Sequence, residues 1–168
     1  YFKYVDNPAN VKTENKVKNL EKLPHSKLKI LKNYNVADGL TQCSVYSIFR
    51  DSKGFVWIGT ANGINRFDSY EFSEIQLPAH QFGKRISANI IEDSEQNIWA
   101  GGENTVYKYN PKTQTTGLIK LPVNNLYRHY VTSIGEDVNQ RVWILAPVAN
   151  LFAYDLRKGQ ISHAINFA

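Results

Sequence analysis

The stretch that decides the fold is DSKGFVWIGTANGINRFDSYEF, residues 51–72. It holds two hydrophobic runs, two turn signals and one tryptophan, Trp57. Runs this short, bounded by Gly, Asn and Asp, read as strands of a hairpin. If the stretch recurs, it is a repeat, and repeats decide architecture. It does recur. VYSIFRDSKGFVWIGTANGINRFD from Val45, SANIIEDSEQNIWAGGENTVYKYN from Ser87 and VTSIGEDVNQRVWILAPVANLFAYD from Val131 fall into register. Trp57, Trp99 and Trp143 are spaced by 42 and 44 residues, and Asp51, Asp93 and Asp137 keep the same spacing. A second turn residue, Asp68, Asn110 or Asp155, follows each Trp by 11 or 12.

Each unit reads as four short strands. The first ends on the Asp, a four-residue turn follows (DSKG, DSEQ, DVNQ), and the second strand carries the Trp. The third is INRFD, VYKYN or LFAYD, and the fourth ends near Leu77, Leu121 or Phe167. A four-stranded antiparallel unit of this length is the size of a β-propeller blade. One such sheet cannot bury both apolar faces alone, so neighbours must stack, and a tryptophan suits the space between them. The expected fold is all-β: blades over residues 45–78, 87–122 and 131–168, preceded by a Lys-rich leader at 1–26 and by KLKILKNY, 27–34, as an orphan strand able to complete a last blade. Three blades do not close a ring, for which about four are needed. The chain is therefore expected to belong to a larger propeller or to pair its open edges with another copy.

Composition narrows the function. Of the formal charge of +5, all resides in residues 1–35, where eight Lys oppose three acids. The remaining body is neutral, so a nucleic-acid partner is not expected, and the leader reads as a solvated linker. The single cysteine, Cys43, allows no intrachain disulfide and no Cys-based metal site. The four His residues are scattered, no metal-ligand spacing occurs, and no cofactor is expected. Gly54 follows Asp51 by three residues and Trp57 follows it by six, which is not the spacing of the sialidase Asp-box. The repeated Asp residues are instead read as caps of their turns. Glu92-Asp93 and Glu136-Asp137 are neighbours on a strand and point to opposite faces, which argues against paired acid/base chemistry.

Taken together, DGLTQ, DSKGFVWIGT and NGINRFD resemble the two-component regulator propeller repeat, most closely over residues 45–78. Repeats two and three depart from it, with Gln96 and Gln140 in place of the turn Gly54 and Leu145 in place of Gly59. Cys43 stands where that family more often has Asn. The resemblance implies a non-catalytic sensor segment on the periplasmic face of the bacterial inner membrane. It further implies a receptor that acts as a homodimer, with a downstream membrane helix and a cytoplasmic histidine kinase or diguanylate cyclase. Ligands implied are glycans or other small anions. They are expected at loops near the channel mouth, at Asn62, Lys84, Arg85, Asn104, Tyr127, Arg128, His129 and Asn150. Arg supplies a bidentate fork for carboxylate or sulfate, and a Tyr can stack on a sugar. Two other classes stay open. A propeller lyase or glycosidase predicts a His, Tyr and acid cluster. A WD40-type scaffold predicts Gly-His and Trp-Asp dipeptides, and neither occurs here.

Overall fold

The structure, a computed structural model, describes residues 33–79, 83–123, 130–146 and 150–166. The leader, nearly all of the expected closing strand 27–34, and Tyr127, Arg128 and His129 lie outside the described residues. The body begins at Tyr34 and contains three four-stranded antiparallel sheets. Blade 1 holds β1 (Val45–Arg50), β2 (Val56–Thr60), β3 (Gly63–Phe67) and β4 (Phe72–Ile75). Blade 2 holds β5 (Ile90–Glu92), β6 (Ile98–Gly101), β7 (Thr105–Asn110) and β8 (Thr115–Lys120). Blade 3 holds β9 (Ser133–Glu136), β10 (Arg141–Ala146), β11 (Asn150–Asp155) and β12 (Gln160–Asn166). In each sheet the strands pair in sequence order, so every connection is a hairpin.

The repeated Asp explains why each first hairpin turns where it does. Asp51 Oδ1 accepts from the Lys53 and Phe55 amides at 3.0 and 2.9 Å, and Oδ2 accepts from the Trp57 indole N–H at 2.8 Å. Asp93 repeats the set with Glu95, Asn97 and Trp99, and Asp137 with Asn139, Arg141 and Trp143. Each first strand stops one residue before its Asp, because the carboxylate then takes over the amides of the turn. The fourth turn residue has a positive φ in all three copies: 93° at Gly54, 68° at Gln96 and 61° at Gln140. The two Gln substitutions therefore keep the turn geometry, at the strain that a side chain brings to the left-handed region. Asp68, Asn110 and Asp155 cap the second turn in the same manner, each with one side-chain oxygen accepting two amides.

Blades join through three kinds of contact that recur. Trp57 and Trp99 are buried against the next blade, their rings 5.5 Å from Tyr109 and 5.2 Å from Tyr154. At Gly59 a methyl group would lie 2.7 Å from Ile86 Cγ2, and at Gly101 one would lie 2.6 Å from Val131 Cγ1. Glycine thus lets the connector to the next blade press against the sheet. Finally, Ser52 donates its amide and hydroxyl to Glu92 of the next blade, and Ser94 donates both to Glu136. The first strands lie side by side at the inner edge. The Ser47 hydroxyl accepts from the Ile90 amide, and the Asn89 amide group exchanges two bonds with the Ile134 backbone.

The leading face of blade 1 is covered by residues 34–41. Tyr34 meets Phe67 and Phe72 edge-on at 5.3 and 5.1 Å. Leu40 is buried, and Asn65, fully buried, binds the Thr41 amide and hydroxyl and the Gly39 carbonyl. A 3-10 turn over Val36–Asp38, capped by Asn35 and closed by Gly39 at φ 108°, folds this strap back on the sheet. Residues 27–34 were expected as a strand running up to Tyr34, yet Asn33 and Tyr34 lie outside any strand.

Candidate functional site

Connectors between blades and the loops between second and third strands gather at one end of the sheets, as the hairpin order requires. Arg85 lies there, in the connector from blade 1 to blade 2. Its guanidinium carbon sits 4.4 Å from the centre of the Tyr46 ring on β1 and 4.9 Å from that of Tyr130, which leads into blade 3. The cation thus lies over two aromatic rings at once. Arg85 Nε is enclosed by protein and makes no hydrogen bond. A guanidinium is the side-chain group whose planar donor fork suits a carboxylate or sulfate.

The segments around Arg85 are anchored by backbone bonds. Ile86 N donates to Thr60 O at 3.0 Å, Val131 N donates to Gly102 O at 3.0 Å, and Glu103 and Tyr130 form an isolated antiparallel bridge. Tyr130 is thereby held by blade 2. Tyr46 remains about half exposed, at 47%.

The residues named from sequence divide into distinct groups. Lys84 and Arg85 are partly buried neighbours in one connector, and only Arg85 is stacked on aromatic rings. Asn62 is exposed, with its amide donating to Thr60 Oγ1 at 3.1 Å. Asn104 is buried to 2% exposure at φ 53°, and its carbonyl accepts from Leu121 N, so it shapes its loop. Asn150 opens β11, paired opposite Ala146. The Asp–Trp pairs 51–57, 93–99 and 137–143 are scaffold, joined by hydrogen bonds in all three copies. Tyr46 was not singled out from sequence. Its position five residues before the turn Asp51 gives no signal, because only the fold carries Arg85 across to it.

Away from Arg85, a groove of about 700 Å³ opens between blades 2 and 3. It is lined by Glu95, Lys108, Asn110, Gly117, Tyr154 and Gln160, among others. Lys108 Nζ lies 5.3 Å from the Trp99 ring centre, 5.9 Å from that of Tyr154 and 3.8 Å from Glu95. Burial, and then the Glu95 carboxylate, push the Tyr154 hydroxyl pKa up, so it stays a neutral donor. Among the described residues no three His, Cys, Asp or Glu side chains assemble as metal ligands, and no helix is long and apolar enough to cross a membrane.

Comparison with known proteins agrees with the repeat. Residues 39–62 match the family model of the two component regulator propeller. The chain is similar to histidine kinase P4 of Formosa agariphila, 42% identical over 43 residues, which are 26% of this chain and 3% of that protein. Among solved structures it is similar to the extracellular domain of a putative one component system from B. thetaiotaomicron. The TM-score is 0.65 at 24% identity, covering 78% of this chain and 18% of that one. It is also similar to virginiamycin B lyase from Staphylococcus aureus, with a TM-score of 0.60 at 21% identity, covering 74% of this chain and 41% of that one. These structural likenesses share the propeller fold. The chain spans a small part of the length of the relatives it matches.

Proposed function

We propose that the chain is a non-catalytic, extracytoplasmic sensing segment of a membrane signalling receptor of the histidine kinase type. On this reading its connector end binds an anionic group, a carboxylate or sulfate such as an acidic glycan carries. The observation that carries the ligand class is Arg85, whose guanidinium lies over the rings of both Tyr46 and Tyr130 at the connector end. An arginine stacked on two rings has lost rotamer freedom before the ligand arrives, so less entropy is lost on binding. Tyr46, half exposed beside it, offers a face on which a sugar ring can stack. The receptor setting is supported by the family match over residues 39–62 and by the likeness to a histidine kinase. Binding would shift how the propellers of a homodimer pack, and that shift would pass to the output domain on the periplasmic receptor's cytoplasmic side.

Calorimetric titration of the full-length ectodomain with a series of uronic-acid, sulfated and neutral oligosaccharides tests the reading. Arg85→Ala is expected to weaken the best acidic ligand at least tenfold, with Arg85→Lys in between, since a lysine cannot present the fork. Equal affinity for neutral and acidic members, unchanged by Arg85→Ala, would sink the anion site. A receptor that signals equally well with its propellers deleted and no stimulus present would sink the sensor role.

A further inference from the structure

The trailing face of blade 3 breaks the pattern that the other two trailing faces share. Blades 1 and 2 each present a Ser after the turn Asp, a Trp on the second strand and a Gly two residues after it. Each is answered by the next blade: Ser52 and Ser94 by Glu92 and Glu136, Trp57 and Trp99 by Tyr109 and Tyr154, Gly59 and Gly101 by Ile86 and Val131. In blade 3 the Trp is kept but the other two are changed. Val138 stands at the Ser position and is 99% exposed, and Leu145 stands at the Gly position and is 41% exposed. Trp143 is half-buried, with Arg141 over one face of its ring at 5.2 Å.

Both changes act against a partner built like blades 2 and 3. A valine offers no hydroxyl to a carboxylate, so a Glu opposite Val138 would lose one bond and face an apolar side chain. A leucine at position 145 occupies the space into which a branched connector residue presses at Gly59 and Gly101, where even a methyl would come within 2.7 and 2.6 Å. A head-to-tail second copy is disfavoured because Phe67, the blade 1 counterpart of Tyr109 and Tyr154, is already met by Tyr34.

We propose that the trailing face of blade 3 seats a further β-sheet of different chemistry from blades 2 and 3. This sheet lays an apolar side chain on Val138 in place of the glutamate. It brings a glycine or alanine to Leu145 in place of Ile86 or Val131, and it keeps an aromatic ring over Trp143. The two internal interfaces of the same surface dictate that specification, because each changed position has a known counterpart across the junction.

The test is the double variant Val138→Ser with Leu145→Gly in the full-length protein, which restores the residues of blades 1 and 2. Loss of matched apolar contacts is expected to lower Tm by about 3–6 °C. A rise in Tm would mean that a blade carrying Glu and a branched connector residue sits there, and would overturn the proposal. A fall no larger than that of a glycine placed at an exposed strand position elsewhere in the chain would show an uncovered face and would overturn it equally. The single variant Val138→Asp, at a position that tolerates any side chain if solvated, must also lower Tm. Melting that depends on protein concentration, with the dependence abolished by the double variant, would assign the face to a second copy instead.

Discussion

The Trp99 indole donates its N–H to Asp93 Oδ2 at 2.7 Å, across six residues and a turn, with both side chains buried. One carboxylate thereby fixes the hairpin and the inter-blade tryptophan at once. Asn97 adds two more bonds to it, at 3.1 and 3.0 Å. Asp93→Ala leaves a buried indole N–H and two turn amides without acceptors, and is expected to cost about 2–4 kcal/mol. Urea unfolding checks it. A loss below that of a surface Asp→Ala control would mean that the turn holds without its cap.

At the fourth turn position a side chain is tolerated but strained. Gln140 is exposed at φ 61°, where glycine adopts the same conformation freely. Gln140→Gly is expected to stabilise by about 0.5–1 kcal/mol, the left-handed strain relieved less the added freedom of the unfolded chain. Gly54→Ala, at φ 93°, is expected to move stability the other way. Paired thermal melts show whether the signs are opposite.

The glycine at the close approach between blades makes a sharper demand. A methyl at Gly101 would meet Val131 Cγ1 at 2.6 Å and Ala88 Cβ at 2.7 Å. Gly101→Ala is expected to cost about 1–3 kcal/mol through overpacking. Adding Val131→Ala should return part of that, because the clashing methyls are removed. A double-mutant cycle with no coupling would show that the two residues do not share the space.

Acid should weaken the turn cap of blade 3. Burial works to raise the Asp137 pKa, but hydrogen bonds from the Trp143 indole, the Arg141 amide and guanidinium and the Asn139 amide outweigh it and hold it at about 2, below the ordinary 3.8. A carboxylate depressed in the folded state stabilises above its unfolded pKa and loses that contribution as pH falls toward the folded value. The window is therefore from 3.8 down to about 2. Asp137→Asn is expected to flatten Tm against pH in that window. An unchanged slope would remove Asp137 from the cause. Asp68, whose pKa is lowered by the Glu71 and Tyr70 amides, acts with the same sign.

Much of this molecule was legible from its repeats. The Asp, Trp and second-turn spacing pointed to three four-stranded antiparallel blades, and three such sheets are present. The reading of the repeated Asp as a turn cap holds in all three copies, because an Asx cap is a local interaction set by residues two to six apart. Gln96 and Gln140 depart from the turn glycine of the first repeat, and the backbone keeps the same left-handed conformation at both.

Sequence by itself determined the unit: its length, its strand order and the hydrogen bonds of each hairpin, all of which act within one repeat. It also marked Arg85 as a candidate. Only the tertiary structure decided which rings Arg85 lies over, because Tyr46 and Tyr130 lie 39 and 45 residues to either side of it in the chain. The same holds for the bonds between Ser52 and Glu92, and for the glycines at 59 and 101. Those contacts join one repeat to the next, and no spacing within a repeat encodes them. The stacking of sheets alone brings their partners within reach.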